Sequence, residues 1–321
     1  AGYKYSVKII PEDDSYKMKL VHQDYSEHLE SASQHLSYGE RNAFALVLFM
    51  HQVLRDKPDL AVLDDPVSSF DKSKKFAILH KLFRGKSSLG NSTVLMLTHD
   101  IEPAIDVTKS VRNLFTSAKP IAYFLSAKSG IVTEVKIEPS DIKTFAEICG
   151  ENIQNVEDQI IKCIYLRRHF EILGERGLEY NLLSSLLHGR QNPTLQTDDG
   201  QIAMTAEQIS SATVSIVNEM HDFDYANIQK MVVDCEGLKS RFNNTTVGYE
   251  KIQIYRIFSE QNKVSKGSNS NDRIIQKFAN ESFHIENEYL MQLNPHKYDN
   301  VPEYIVAACA IEINKAPQNI N

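Results

Sequence analysis

Two short apolar runs that end in polar residues constrain the fold of this chain more than any other feature. The first occupies residues 60–65 and ends in two aspartates, and the second occupies residues 93–99 and ends in Thr-His. Between them, residues 72–83 have the periodicity of an amphipathic helix. This strand–helix–strand order predicts two parallel strands joined by a crossover. We therefore expect the polar ends of both runs to lie at the same edge of a sheet.

The rest of the pattern predicts two domains. We expect an α/β domain at residues 1–140, with a parallel sheet and flanking helices, followed by a mainly α-helical domain at residues 141–321. The chain has 321 residues, 42% of them hydrophobic, which is enough for two cores. We predict further strands at residues 5–10, 16–21, 113–116, 122–125 and 131–137, and further helices at residues 24–34, 42–54, 101–108, 153–173, 178–187, 206–220, 225–241 and 274–293.

The net charge, the lengths of the apolar runs and the cysteine spacing limit which partners and which cellular compartment we expect. The formal net charge of −7 gives no global basic field, so binding of RNA or DNA would need a local patch or a partner. No apolar run approaches the roughly 18 residues that span a membrane, and the first residues lack the pattern of a signal peptide. Four cysteines lie far apart without a C-x-x-C pair, which predicts reduced thiols. We expect a cytoplasmic protein with no membrane partner.

The acids and the histidine at the two strand ends are residue types that bind metal ions and phosphate. The carboxylate of Asp64 could hold the hydration shell of Mg²⁺, and Asp65 could polarise an attacking water or act as its general base. The imidazole of His99 could donate a hydrogen bond to a terminal phosphate. The structural alternatives are two acids that cap the turn before Pro66 and a histidine without a chemical role.

A second candidate site precedes the first long predicted helix. Ser37, Gly39 and Glu40 combine a hydroxyl, a glycine and a helix start, where backbone N–H groups can bind an anion. The same spacing is that of a capping box, in which Ser37 and Glu40 bond to each other's backbone. Both interpretations can hold at once.

Together these segments resemble the C-terminal half of an ABC-type ATPase head. Four motifs carry the resemblance: the signature motif in LSYGE at residues 36–40, Walker B in LAVLDD at residues 60–65, the D-loop in SSFD at residues 68–71, and the switch histidine at His99. These motifs span about 65 residues, and the resemblance extends loosely over residues 1–137.

The resemblance implies ATP and Mg²⁺ as ligands of the first domain. Asp64 would hold the metal ion, and Asp65, in the place of the usual catalytic glutamate, would act in hydrolysis with Asp64 and His99. Because aspartate is shorter than glutamate, it would hold the attacking water further from the phosphate. The residues implied in nucleotide binding are Ser37, Gly39, Glu40 and Asp71.

The P-loop of such a head does not occur in the sequence, since no segment matches G-x-x-x-x-G-K-[ST]. Gly85, Lys86 and Ser87 match only the end of that motif, and His80 stands where its first glycine should be. Without this loop the chain lacks the cradle for the β- and γ-phosphates. We therefore expect a second ATPase protomer or an N-terminal P-loop lobe to complete the site, and this chain to be the C-terminal piece of a longer protein or one half of a split ATPase.

The segment LDDPVSSFD at residues 63–71 makes the resemblance more specific. It is similar to the ATPases fused to anticodon nucleases and to their relatives in bacterial anti-phage defence, including the Septu type. The implied function is an ATP-binding and ATP-hydrolysing subunit of a defence complex that gates a nuclease partner. A chromosome-maintenance or repair ATPase is a further alternative, but those proteins do not usually follow Walker B with Pro-Val-Ser-Ser-Phe-Asp.

The helical half contains candidate nuclease residues. Arg167, Arg168 and Glu171 lie within one helical turn, and His188 follows them. Such side chains could cleave RNA without a metal ion, with Glu171 and His188 moving protons and an arginine holding the phosphate. Their order resembles the Arg-x-x-x-Glu…His triad of anticodon nucleases, although the gap before His188 is shorter. The alternatives are an i,i+4 ion pair and a surface histidine. We interpret residues 278–295 as a packed cap with a partner-binding surface.

Overall fold

The computed structural model describes residues 5–12, 15–22, 37–85, 87–110, 112–115, 118–128, 130–261, 291–299 and 301–315. The protein is mixed α/β and divides into two compact units, Ala1–Ala122 and Tyr123–Asn321. This division follows Ala122, whereas the predicted boundary lies at residue 140. The helix predicted at residues 24–34 and all but the end of the one predicted at residues 274–293 lie outside the described residues.

The first unit opens with an antiparallel hairpin of two strands, β1 (Tyr5–Glu12) and β2 (Ser15–His22). The elements that follow are α1 (Tyr38–Asp56), β3 (Ala61–Asp64), α2 (Lys72–Phe83), a 3₁₀ turn (Leu89–Asn91), β4 (Val94–Leu97) and α3 (Ile101–Ile105), which continues as a π-helical turn (Asp106–Ser110). The strand predicted at residues 113–116 is wrong, because Arg112–Leu114 form a 3₁₀ turn. Lys119 closes that turn by donating to the carbonyl oxygens of Arg112 and Phe115.

The predicted parallel pair is confirmed in β3 and β4, whose register matches Ala61 to Val94 and Asp64 to Leu97. Paired residues of parallel strands point to the same side of the sheet. One side therefore carries Ala61 and Leu63, which are buried. The core on that side also contains Met50 and Val53 of α1 and Ile78, Leu79, Leu82 and Phe83 of α2.

The other side of this pair faces outward. Val62, Leu95 and Leu97 are 49%, 45% and 40% exposed, and the exposed side chain of Asp64 shares their side. We call these four residues the open face. Parallel strands are normally covered on both sides, and their apolar residues are then buried on both. The open face therefore presents three exposed apolar side chains beside Asp64, the predicted metal ligand.

The second unit is mainly helical. Its strands are β5 (Ala122–Lys128, of which Ala122 ends the first unit), β6 (Ile131–Ile137), β7 (Lys143–Thr144), β8 (Thr194–Thr197), β9 (Gly200–Ala203) and β10 (Met291–Gln292). Its helices are α4 (Phe145–Asn155), α5 (Gln159–Ile172), α6 (Leu178–Leu187), α7 (Ala206–Glu219), α8 (Tyr225–Val233), α9 (Cys235–Asn244), α10 (Gly248–Gln261) and α11 (Glu303–Lys315).

The core of this unit forms around α5 and α10, whose residues are buried on most sides. Two predicted helices are each broken into two. The one predicted at residues 153–173 breaks before Asp158, whose carboxylate accepts from the N–H groups of Ile160 and Ile161. The one predicted at residues 225–241 breaks at Asp234, which caps α9. An aspartate at these positions stabilises the start of a new helix by binding its free N–H groups.

The four cysteines, all of which lie in the described residues, form no disulfide, and Cys149, Cys163 and Cys309 are buried. Burial raises the pKa of the Cys163 thiol well above its ordinary value and raises that of Cys309 to about 12. These thiols are therefore protonated and pack as apolar side chains.

Candidate functional site

The ends of β3 and β4 bring Asp65 and His99 together. The N–H of Asp65 donates to the carbonyl oxygen of Leu97 at 2.8 Å, so the parallel pairing continues beyond Asp64. Asp65 then takes a left-handed conformation, with φ of 45°, and the chain turns away. Its Oδ2 lies 2.8 Å from Nδ1 of His99, and its Oδ1 accepts from the Thr98 hydroxyl at 3.4 Å. The predicted meeting of the two polar strand ends is present.

The site at these strand ends is accessible from solvent. The side chain of His99 is 74% exposed and that of Asp65 is 31% exposed. Asp64 is also exposed, and it lies on the open face. In the described ranges, no group of three or more His, Cys, Asp or Glu side chains converges on a possible metal position. Asp64 nevertheless suits Mg²⁺, which proteins commonly bind through one or two carboxylates together with water and phosphate oxygens.

Ser37 and Glu40 form the capping box that their spacing predicts. The Ser37 hydroxyl accepts from the N–H of Glu40 at 3.3 Å, and the Glu40 carboxylate accepts from the N–H and hydroxyl of Ser37 at 2.9 Å and 2.8 Å. Ser37 is exposed, and the neighbouring Tyr38 is 66% exposed. The start of α1 is therefore held in shape by local bonds while remaining open to solvent. The anion-binding interpretation of Gly39 and its neighbours stays a prediction.

The start of α1 packs against the segment that resembles a D-loop. A Cβ atom at Gly39 would lie 3.5 Å from the ring of Phe70 and 3.8 Å from the carbonyl oxygen of Ser69. Asn42, one turn further along α1, donates to the Ser69 hydroxyl at 2.8 Å. The structure thus joins the signature-like and D-loop-like segments in one surface.

Asp71 lies at the start of α2 and caps it. Its carboxylate accepts from the N–H of Lys74 at 3.0 Å and pairs with the Lys74 ammonium, also at 3.0 Å. These bonds account for an aspartate at this position by helix capping. Its predicted contact with a nucleotide stays a prediction.

Lys75 is a residue of this region that sequence reasoning missed. Its ammonium pairs with Asp100 and lies 3.5 Å from Glu102, and only 12% of its side chain is exposed. The hydrogen bond to Asp100 is the main reason that the pKa of Lys75 is raised. Lys75 therefore joins α2 to the residues that directly follow His99. Its position on an amphipathic helix gave no sign of this contact.

In the second unit, Arg167, Arg168 and Glu171 bond to one another. Glu171 accepts from Arg167 at 3.2 Å and from Arg168 at 3.1 Å, and the side chain of Arg168 is 4% exposed. Burial acts to raise the pKa of Glu171, but the two guanidinium groups outweigh it and the pKa is lowered. The i,i+4 ion pair that we considered as an alternative is therefore present. Phosphate binding by Arg167 or Arg168 stays a prediction.

His188 pairs with Glu260, a residue that sequence reasoning did not select. Nδ1 of His188 contacts the Glu260 carboxylate, which also lies 3.4 Å from the guanidinium of Arg256. Burial acts to raise the pKa of Glu260, but its bonds to His188 and Arg256 outweigh burial, so the pKa is lowered. The sequence groups His188 with Glu171 as possible proton-transfer residues, and the carboxylate that His188 contacts in the structure is that of Glu260. RNA cleavage by these residues stays a prediction.

Most of the proposed partner-binding cap, residues 278–290, lies outside the described residues. Within the part of the chain that the structure describes, no helix is both long enough and apolar enough to cross a bilayer.

No protein-family model and no curated protein matches the chain. The likeness to ABC-type ATPase heads therefore depends on the four motifs and on where the structure brings their residues.

Proposed function

We propose that the first unit is the part of an ABC-type ATPase head that carries the signature, Walker B, D-loop and switch-histidine segments. In this proposal it binds and hydrolyses ATP with Mg²⁺ after a P-loop, from a preceding segment or a second polypeptide, joins it. The observation that carries the proposal is the 2.8 Å contact between Asp65 Oδ2 and His99 Nδ1 at the ends of two parallel strands.

The chemistry of this edge suits phosphoryl transfer to water. Asp64 supplies a carboxylate to a magnesium ion whose remaining ligands are water and phosphate oxygens. Asp65 is an acceptor that orients the attacking water. His99, which bonds Asp65 through Nδ1, can donate to the terminal phosphate from Nε2 only when both ring nitrogens carry a proton. Loss of that phosphate then removes a hydrogen-bond partner of His99, and His99 is itself bonded to Asp65.

The open face supports the requirement for a P-loop lobe. Three apolar side chains beside Asp64 are exposed on a parallel pair of strands, where such residues are usually covered. A lobe that packs on this side would bury them and would bring its loop close to Asp64. The same lobe would supply the lysine and the backbone N–H groups that bind the β- and γ-phosphates.

The wider role in this proposal is the gating of a nuclease partner in bacterial anti-phage defence. It is supported by the segment LDDPVSSFD alone. The buried Val67 and Phe70 of that segment also have a packing role in the first unit.

The experiment compares Asp64→Asn with Asp59→Asn in the complete assembly that contains the P-loop. Asp59 is an exposed aspartate in the loop before β3, so its substitution removes the same charge nearby. We expect Asp64→Asn to reduce Mg²⁺-dependent ATP turnover by about 100-fold or more, because the metal ion loses its carboxylate ligand. Asp59→Asn should leave turnover unchanged. Equal turnover in both variants would contradict the proposal.

A further inference from the structure

A polar cleft of about 420 Å³ opens on the second unit. Its walls come from α6, from the turns before and after α6 and from the β8–β9 hairpin, and they include Arg176, Tyr180, His188, Arg190 and Gln201. The volume falls within the range of about 300–1,000 Å³ that is typical of small-molecule sites. None of the residues proposed to bind or hydrolyse ATP lines this cleft.

The charge around the cleft is opposite in sign to that of the chain. His188 lines both the cleft and a small adjoining cavity whose walls include Arg167, Arg256 and Glu260. The two linings together contain four arginines and one histidine against a single carboxylate, and Glu171, outside both linings, contacts two of these arginines. The chain as a whole has a formal net charge of −7. A positive concavity on an acidic protein attracts anions to one place.

Two of these arginines are placed to bind a ligand. The guanidinium of Arg190 donates to the Thr194 hydroxyl at 2.7 Å, and among the described residues it forms no ion pair with a carboxylate. Arg176 is 62% exposed, and its nearest carboxylate, Glu171, lies 3.8 Å away and also bonds two other arginines. A guanidinium with unused donors can bind the oxygens of a phosphate through two parallel bonds.

His188, which lines both the cleft and the adjoining cavity, is bonded through Nδ1 to Glu260. A carboxylate only accepts hydrogen bonds, so Nδ1 of His188 carries the proton that it donates to Glu260. This leaves Nε2 as the ring nitrogen for a ligand. The bond from Arg256 to Glu260 holds the carboxylate in turn. The histidine is therefore a fixed group and not a mobile surface side chain.

We propose that this cleft binds a phosphate-bearing ligand of nucleotide size, with Arg176 and Arg190 on the phosphate and His188 as a further polar contact. The amide groups of Gln196 and Gln201 offer donors and acceptors for the remainder of such a ligand. The inference goes beyond the ATPase proposal, because the cleft lies in the other unit. The ligand's source is either a free nucleotide or a residue of a single-stranded nucleic acid.

Fluorescence anisotropy of the full chain with a fluorescein-labelled oligoribonucleotide tests this proposal. EDTA replaces Mg²⁺, so that metal-dependent nucleotide binding by the first unit does not contribute. Unlabelled AMP and the unlabelled oligonucleotide serve as competitors. If AMP competes at a concentration similar to that of the oligonucleotide, the ligand is a free nucleotide. If only the oligonucleotide competes, the ligand is a nucleic acid. Either outcome supports the proposal when the arginine variants bind the probe more weakly.

The variants are Arg176→Gln, Arg190→Gln and their combination, with Lys230→Gln as the control. Lys230 is exposed on α8 and loses the same charge. We expect about tenfold weaker binding for each arginine variant and about 100-fold for the pair, because each loses a charge-assisted bond to phosphate. Lys230→Gln should bind like the unaltered chain. The proposal is overturned if the unaltered chain binds neither the labelled oligoribonucleotide nor fluorescein-labelled AMP, or if the arginine pair binds as tightly as Lys230→Gln does.

Discussion

The imidazole of His99 and the carboxylate of Asp65 pair at 2.8 Å across the ends of two adjacent parallel strands. Each side chain follows a different strand, so any movement of β4 relative to β3 changes their contact. A group that binds His99 is therefore coupled to the orientation of Asp65 through one hydrogen bond. This coupling is what a site requires if it is to respond to the loss of a phosphate.

Replacing His99 should slow ATP hydrolysis without removing nucleotide binding. In the complete assembly, we expect His99→Ala to reduce kcat by about 100-fold, because Asp65 loses its partner and the phosphate loses a donor. His51→Ala is the matched control, since His51 is an exposed histidine on α1. Steady-state turnover and ATP affinity are measured for both. A similar kcat for the two variants would rule out the assigned role.

Lys75 should stabilise the segment that carries His99. We expect Lys75→Met to lower the free energy of unfolding by about 1 kcal/mol, since Asp100 and Glu102 lose their cation. Because the folded pKa of Lys75 is raised, its contribution is full below the unfolded pKa and is lost as the pH rises through the folded value. Urea unfolding at pH 7 and at alkaline pH measures this difference. Lys81→Met, an exposed change on the same helix, should have little effect at either pH.

Glu171 should stabilise the second unit in a way that depends on acid pH. We expect Glu171→Gln to cost about 2–3 kcal/mol at pH 7, because Arg167 and Arg168 stay buried while the charge of the Glu171 carboxylate is lost. The folded pKa of Glu171 is lowered, so its contribution is present above the unfolded pKa and disappears as the pH falls through the folded one. Chemical unfolding should show the two proteins converging in strong acid. If Glu175→Gln, an exposed neighbour, were equally destabilising at pH 7, the ion pairs would not be the cause.

The open face should be needed for assembly and not for the stability of the first unit. We expect Leu95→Gln to weaken association with the P-loop lobe or polypeptide by tenfold or more, because a polar amide replaces an apolar contact there. Unfolding of the first unit should change little, since Leu95 is already 45% exposed. Analytical sedimentation of the mixed polypeptides measures their association, and ATP turnover measures whether the complete site forms. Leu173→Gln, an exposed leucine of the second unit, is the control, and equal assembly by both variants would contradict this role.

The elements that the sequence predicted well are those with local signals. β3, α2 and β4 follow from apolar periodicity, and the Ser37–Glu40 capping box follows from a spacing of three residues. The parallel pairing follows from the crossover rule.

Long-range contacts could not be predicted in the same way. His188, which follows α6, and Glu260 of α10 are 72 residues apart in the chain, and no local pattern connects them. Other features had signals that were overlooked. Asp198 and Asp199 are of a residue type common in turns and form the two-residue turn between β8 and β9, and Asp158 has the residue type of a helix N-cap.

Substitution of Asp65 tests the central claim most directly. In the complete assembly, Asp65→Asn keeps the size of the side chain but removes the charge that pairs with His99 and orients water. The account predicts that ATP turnover falls by about 100-fold or more while ATP affinity changes by less than about threefold. Turnover equal to that of the unaltered assembly would contradict the assignment of this strand edge as an ATP-hydrolysing site.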